Sequence, residues 1–441
     1  MSKLALLGGE KAASQDYSQL FKWPIVNEAM EQAVLEVLRN GNMSGTDITR
    51  QFEQKYGAWQ GCDYTLAHST GTAALLAAMW ACGLGHGDEL ICPSVTYWAS
   101  CIQALTLGSS VIFADILPDT LNMDPDDLER RITERTKAIM VVHYLALPAD
   151  MDRIMEIARK HDLKVIEDVS HAHGALYKGK KVGSFGDVAA MSLMSGKSLA
   201  IGEGGILCTD DRDIYERALL WGHYARHGEI ENEELRPDAG LPWGGYKNRM
   251  HQLSSVVGLT QVDKYDEEMA EIDRAMNYFW DELKGVPGLG DHRPTEADTT
   301  KGGWYAAHGL YRAEELGGLS IRRYCEAVRA EGVSACNPGC NKALHLHPLM
   351  HTVDIFGEGK PSILANLPEG IDCRQGPGSL PVSEAVQDRT YYIPWFKQFD
   401  KVAIGEHAAA FRKVAENYEE LLADDPGEKV EGGWFLTRRR S

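Results

Sequence analysis

The chain has 441 residues, 44% hydrophobic and 25% charged, with 64 acidic against 45 basic side chains and a formal net charge of −19. This composition excludes a disordered or collagen-like chain and leaves room for a large folded unit and a smaller one. The negative balance argues against a nucleic-acid backbone or an anionic membrane surface as partner.

In chain order, the amino-terminal apolar run is too short for a signal peptide, and no stretch of about 18 apolar residues follows, so a cytoplasmic protein is expected. Residues 25–58 carry helical periodicity around Met30, Val34, Leu35 and Leu38, a glycine-rich turn at 41–45 and a second helix near Phe52. From Tyr64 the pattern alternates strand and helix: strands at 64–67, 89–93, 110–115, 138–143 and 163–166, with helices at 72–81 and 151–161. The later strands are nearly all apolar, as strands covered on both faces must be. Further strands are expected at 187–193 and 205–208, then a helix at 214–221 and a polar loop at 227–245 that reads as a lid or a subunit contact. One long helix is expected over 251–284, a strand over 304–311, a helix over 320–330, an irregular stretch to about 377 and a last helix over 402–422. The nine cysteines read as reduced core residues; Cys336 and Cys340 have no second pair nearby, so no metal is proposed.

Chemistry concentrates between Glu167 and Gly205. Asp168 follows an apolar strand, which places its carboxylate at the carboxyl edge of a parallel sheet, where open α/β sheets bind ligands. Lys197 follows the next strand and precedes small residues that let a loop pass close to a ligand. An acid and a lysine so placed suggest pyridoxal phosphate: the lysine forms a Schiff base with the aldehyde, and the carboxylate keeps the ring nitrogen protonated. Ser69, Thr70, Gly71 and Thr72 open a helix and offer hydroxyls, a close backbone and free N–H groups to a phosphate, although the same letters also make an ordinary helix cap. Ser192 suits a second phosphate contact. Tyr97 is the candidate to stack on a flat ring, with Trp98 its competitor.

These motifs, with Gly87–Glu89 and Gly202–Gly205, resemble in order and spacing the DegT/DnrJ/EryC1/StrS family, fold-type-I aminotransferases of keto-sugars and keto-cyclitols. The run from Asp168 through His171 and His173 is most similar to the branch of inosose aminotransferases and 3-amino-5-hydroxybenzoate synthase. The resemblance implies a large domain with a mixed, mostly parallel sheet flanked by helices, spanning 1–265, and a smaller C-terminal α+β domain, 266–441. By position, Lys197 matches the Schiff-base lysine, Asp168 the pyridine-nitrogen partner and Tyr97 the stacking aromatic. Thr70, Gly71, Thr72 and Ser192 match the phosphate site. His171 stands where many members have a glutamine that bonds the cofactor's ring hydroxyl, a bond histidine can also make. His173 is read as structural.

The segment from Gly245 to Met250 resembles the one that reaches the neighbouring subunit's phosphate, through Lys247 or Asn248, which implies a homodimer with shared sites. His345 matches a substrate-side histidine. The implied reaction moves an amino group from glutamate or glutamine to a keto-sugar or keto-cyclitol. A related sugar dehydratase has histidine where Lys197 stands, which disfavours it here. Fold-type-I desulfurases and amino-acid aminotransferases would be favoured by a histidine at the position of Gly196, which is absent, or by an arginine for a substrate α-carboxylate, which sequence does not reveal. A 3-amino-5-hydroxybenzoate synthase-like enzyme and a cofactor-binding regulatory protein without catalysis are the further alternatives.

Overall fold

The structure, a computed structural model, describes residues 3–434. Nine strands occupy its first half: β1 Tyr64–His68, β2 Glu89–Pro93, β3 Ser110–Ala114, β4 Thr136–Val142, β5 Lys164–Asp168, the short hairpin β6 Leu176–Tyr177 and β7 Lys180–Lys181, β8 Val188–Ser192 and β9 Gly205–Thr209. Seven of them form one sheet in the order β1-β9-β8-β5-β4-β2-β3, in which β9 alone runs antiparallel to its neighbours. Every other strand of that sheet therefore delivers its carboxyl end to the same edge.

Alternation along the strands explains their all-apolar sequences. Leu90, Val111, Met140, Ile166 and Leu207 join one buried layer, while Ile91, Ile112, Val141, Val165 and Ile206 join the other. Both faces are covered by α2 Asp47–Gln60, α3 Gly71–Ala81, α4 Pro125–Arg131, α5 Met151–Lys160, α6 Arg212–Gly222, α7 Gln252–Val262 and the segments between them, and α1 Glu28–Arg39 packs on α7. Helix α3 starts hard against the sheet. A Cβ on Gly71 would lie 2.6 Å from Ser192 Cα, and one on Gly205 would lie 2.3 Å from the Thr70 carbonyl oxygen. Only glycine lets these three segments meet.

The expected helix over 251–284 is two helices, α7 and α8 Tyr265–Glu282, divided at Asp263 and Lys264. Beyond the break, the described residues form β10 Leu289–Asp291, β11 His308–Tyr311, α9 Ile321–Ala330, α10 Pro381–Ala385, β12 Thr390–Tyr392, α11 Lys401–Glu416 and α12 Glu419–Leu422. Strands β10, β11 and β12 form a separate antiparallel sheet. Around it gathers a second core, with Phe279, Tyr324, Tyr391 and Phe411 fully buried. The expected strand over 304–311 begins only at His308, because Trp304 and Ala306 adopt φ of 54° and 52°. The division at 265 also needs one correction: Leu4 and Ala13 belong to the second core. The reason is Glu331, fully buried, which accepts the N–H groups of Ala5 and Ala12 and the ammonium of Lys413.

One carboxylate fixes the sheet edge. Glu167 Oε2 receives His143 Nε2–H at 3.0 Å and Gly183 N–H at 2.7 Å, and Oε1 receives the N–H groups of Phe185 and Gly186, each at 2.7 Å. The Ala149 N–H points at His143 Nδ1, at 3.1 Å, so Nδ1 is the acceptor and Nε2 carries the hydrogen. Burial works against the charge of Glu167, yet the bonds from His143, Gly186 and Gly183 hold its carboxyl below the ordinary range.

Replacing Glu167 with glutamine puts an amide N–H against donors, and the expected loss of stability is about 3 kcal/mol or more by urea unfolding at pH 7. Because the folded-state pKa is depressed, the wild-type advantage is complete above about pH 4.3 and disappears as pH falls through the lower folded value. Gly71→Ala forces α3 away from β8 and is expected to cost about 1–3 kcal/mol in the same measurement.

Candidate active site

Four stretches named from the sequence meet at the carboxyl edge: the β1–α3 turn, the end of β5, the end of β8 and the loop carrying Lys197. Thr70 is the N-cap of α3, its Oγ1 accepting the Ala73 N–H at 3.0 Å. The cap therefore serves the third residue of the helix. The N–H groups of Gly71 and Thr72 come first and have no intrahelical carbonyl to bond, so together with the helix dipole they suit an anion. The two readings of this segment are compatible: the Thr70 hydroxyl caps, and the backbone ahead of the cap remains to bind. Ser192, partly exposed at the end of β8, accepts the Met194 N–H at 3.3 Å through Oγ.

Asp168 ends β5 pointing away from Glu167, as alternation requires. Its Oδ1 accepts the Ser170 N–H at 3.0 Å and its Oδ2 accepts the Ser100 hydroxyl at 2.7 Å. Ser100 in turn meets Thr96 Oγ1 at 2.9 Å. The carboxylate is thus aimed by two serines that the sequence had not marked, the adjacent Ser170 and the more distant Ser100. It lies three residues beyond Tyr97 on the same segment, and only folding brings that segment to β5.

His171 is buried, and its Nδ1 accepts the Leu145 N–H at 3.3 Å. The hydrogen therefore sits on Nε2, which makes this histidine a donor like the amide of a glutamine. Burial, and then the charge of Lys197, hold its pKa well below the usual histidine range, so the ring stays neutral. Leu145 and Ala146 take left-handed φ values of 50° and 71° to present that N–H. His173 is structural: Nε2–H donates to the Ser192 carbonyl at 2.9 Å, Nδ1 lies 3.4 Å from Tyr56 Oη, and burial lowers its pKa to about 4.

Lys197 is 7% exposed, in a loop held by its own N–H to Met194 O and by the Trp23 indole N–H to its carbonyl. The ammonium lies 4.2 Å from the centroid of the Tyr305 ring, which no sequence signal had marked. Tyr97 remains 40% exposed, 5.1 Å from Trp98, while Trp98 packs on the core; the two adjacent aromatics are sorted one out and one in.

Two expected residues sit differently. His345 is fully buried with both nitrogens engaged, Nδ1 with Ser94 Oγ at 2.7 Å and Nε2 with Glu384 at 3.2 Å, so it links the end of β2 to α10. Asn248 is buried against its own chain, its N–H on Gly222 O at 3.0 Å and its carbonyl receiving Ser69 N–H at 2.6 Å, whereas Lys247 is exposed. The polar loop at 227–245 is fastened to α6 through Glu216, which accepts the N–H groups of Glu231 and Asn232.

The donor set fits a phosphorylated pyridine aldehyde. It holds an amine, a carboxylate for a ring nitrogen, a neutral N–H donor for a ring oxygen, and hydroxyls with a helix N-terminus for a phosphate.

Comparison with known proteins agrees with this chemistry. Residues 24–360 match the DegT/DnrJ/EryC1/StrS aminotransferase family. The spore coat polysaccharide biosynthesis protein SpsC of Bacillus subtilis (strain 168) is 30% identical over 83% of this chain and 93% of its own. The L-glutamine:scyllo-inosose aminotransferase of Streptomyces griseus is 32% identical over 75% of this chain and 79% of its own. The X-ray structure of an aminotransferase from Psychrobacter cryohalolentis superposes with a TM-score of 0.76 at 26% identity, covering 90% of this chain and 99% of the other. The fold is that of the fold-type-I aminotransferases, and the chain belongs to the DegT/DnrJ/EryC1/StrS aminotransferase family.

Proposed function

We propose that this protein uses pyridoxal 5'-phosphate to move an amino group from glutamine or glutamate to the ketone of a polyhydroxylated six-membered ring, a cyclitol or sugar. The observation that carries this is the meeting of Lys197, Asp168, His171 and the α3 N-terminus at one sheet edge. The inosose aminotransferase of Streptomyces griseus supports the choice of donor and acceptor.

When bound, the cofactor supplies an electron-withdrawing ring that accepts the electron pair left as a proton departs from the amino-bearing carbon. Asp168, aimed by Ser100 and Ser170, holds the ring nitrogen protonated. His171 donates Nε2–H to the ring oxygen. The α3 N-terminus, Thr72 and Ser192 hold the phosphate. Lys197, in its free form, is the base that takes the proton from one carbon and returns it at the other. Its burial excludes water that would compete for that proton.

We propose further that two copies form a homodimer with shared sites, in the cytoplasm. Trp243 and Tyr246 stand 43% and 42% exposed around the stacked pair Trp80 and Trp221, an aromatic surface suited to a partner subunit. Exposed Lys247, rather than Asn248, would extend from it to the partner's phosphate.

Lys197→Ala is expected to lower 2-oxo-acid formation from glutamine and scyllo-inosose by about 1,000-fold or more, while stability by urea unfolding stays near wild type. Retained turnover would remove the assignment of Lys197. Light scattering of the purified protein should give twice the chain mass, and Trp243→Glu should shift it toward the single chain; an unchanged mass would remove this surface from the contact.

A further inference from the structure

Around Tyr305 the backbone is forced. Trp304 and Ala306 flank it with left-handed φ values of 54° and 52°, and Gly302 has φ of 54°. A Cβ on Gly302 would lie 2.4 Å from the His173 carbonyl oxygen, and one on Gly303 would lie 2.3 Å from Ser198 Cβ. The turn is wedged between the His171–His173 segment and the residue after Lys197. It is also pinned from behind: Trp304 Nε1 donates to Asp273 at 2.7 Å, and Trp395 Nε1 donates to the Gly303 carbonyl at 3.0 Å. Left-handed non-glycine residues are costly, and a fold retains two of them around one side chain when that side chain's position matters.

The position is beside the reacting atom. The Tyr305 ring centroid lies 4.2 Å from Lys197 Nζ and 4.7 Å from the His171 ring, and Trp395 packs edge-on at 5.7 Å. Through residues 301–309, only Tyr305 and Ala306 keep partial exposure. A substrate carbon that exchanges a proton with Nζ from the side of the Tyr305 ring comes within van der Waals reach of that ring. A saturated polyhydroxylated six-membered ring carries C–H groups on its faces and hydroxyls around its rim, so an aromatic face suits it as a floor. A linear amino acid such as glutamine offers no such face.

We propose that Tyr305, backed by Trp395, is a specificity residue that stacks against one face of the acceptor's six-membered ring. The assignment rests on the aminotransferase reading above. It competes with a purely electrostatic role, in which the Tyr305 ring merely stabilises the Lys197 ammonium. The two differ in a measurable way, because Lys197 serves both halves of the reaction and the acceptor ring enters only one.

The test uses the holoenzyme and follows cofactor absorbance in single turnovers, first with glutamine and then, after donor removal, with the acceptor. Scyllo-inosose probes a free ring and a GDP-linked 4-keto sugar a nucleotide-linked one. Tyr305→Ala is expected to reduce kcat/KM of the acceptor half about tenfold or more for at least one probe, chiefly through KM, with the donor half within about twofold. Tyr305→Phe keeps the ring and should recover the acceptor half to within about threefold. The more affected probe identifies the kind of ring that lies on Tyr305. Equal loss in both halves, or no loss for either probe, overturns the assignment. Wild-type absorbance that does not respond to any amino donor overturns the aminotransferase reading and the specificity assignment together, an outcome separate from failure of the variant series.

Discussion

The active-site edge depends on the four hydrogen bonds that Glu167 accepts. Glu167 and Asp168 are consecutive residues of an extended strand, so their side chains leave the sheet on opposite faces. By binding His143 after β4 and the N–H groups of Gly183, Phe185 and Gly186 in the segment leading into β8, Glu167 ties β5 to its two neighbours in the sheet. What that fixes, on the other face, is the direction of Asp168. A buried carboxylate with four donors is stable where one with fewer would not be, because an unpaired charge in such a place costs several kcal/mol. The direction of the Asp168 carboxylate, proposed to hold a cofactor nitrogen, is thus set by a neighbour facing the other way.

A second device recurs around the same edge. Leu145 and Ala146 adopt left-handed backbone angles, and the result is an N–H aimed at His171 Nδ1, which leaves Nε2–H as the donor. Trp304 and Ala306 do so as well, and the result is Tyr305 facing Lys197. In both cases a locally unfavourable conformation orients a ring toward the candidate site. The close contacts of Gly71 with Ser192 and of Gly302 with the His173 carbonyl serve the same end, by removing side-chain bulk where two backbones must touch.

The second core joins this site from behind. Trp395 comes from the segment after β12 and Trp23 from the region before α1; the first bonds the Gly303 carbonyl and the second the Lys197 carbonyl. Two segments far apart in sequence therefore hold the lysine loop and the Tyr305 turn beside it. Glu331 anchors residues 5–12 to the same core, in which Leu4 and Ala13 pack with residues of the C-terminal half.

Sequence periodicity was enough for the larger sheet, because strands buried on both faces must be apolar throughout, and residues such as Ile91, Val141 and Ile166 leave little alternative. The places of Asp168 at a strand end, Thr70–Thr72 at a helix start and Lys197 in the loop after β8 were legible too, since these are local features, whereas their roles came from the resemblance. Tertiary structure decided the rest. Whether Tyr97 or Trp98 turns outward depends on which one the core accepts, and the tautomer of His171 depends on an N–H from a loop distant in sequence. His345 reads equally as a substrate residue or a packed loop histidine, and only folding supplies Ser94 and Glu384 as partners of its two nitrogens. Tyr305 lay in what read as an ordinary strand, because left-handed backbone angles at non-glycine residues have no signature in composition or period. Such angles are imposed by packing against other segments, and packing is what a single sequence, read locally, does not contain.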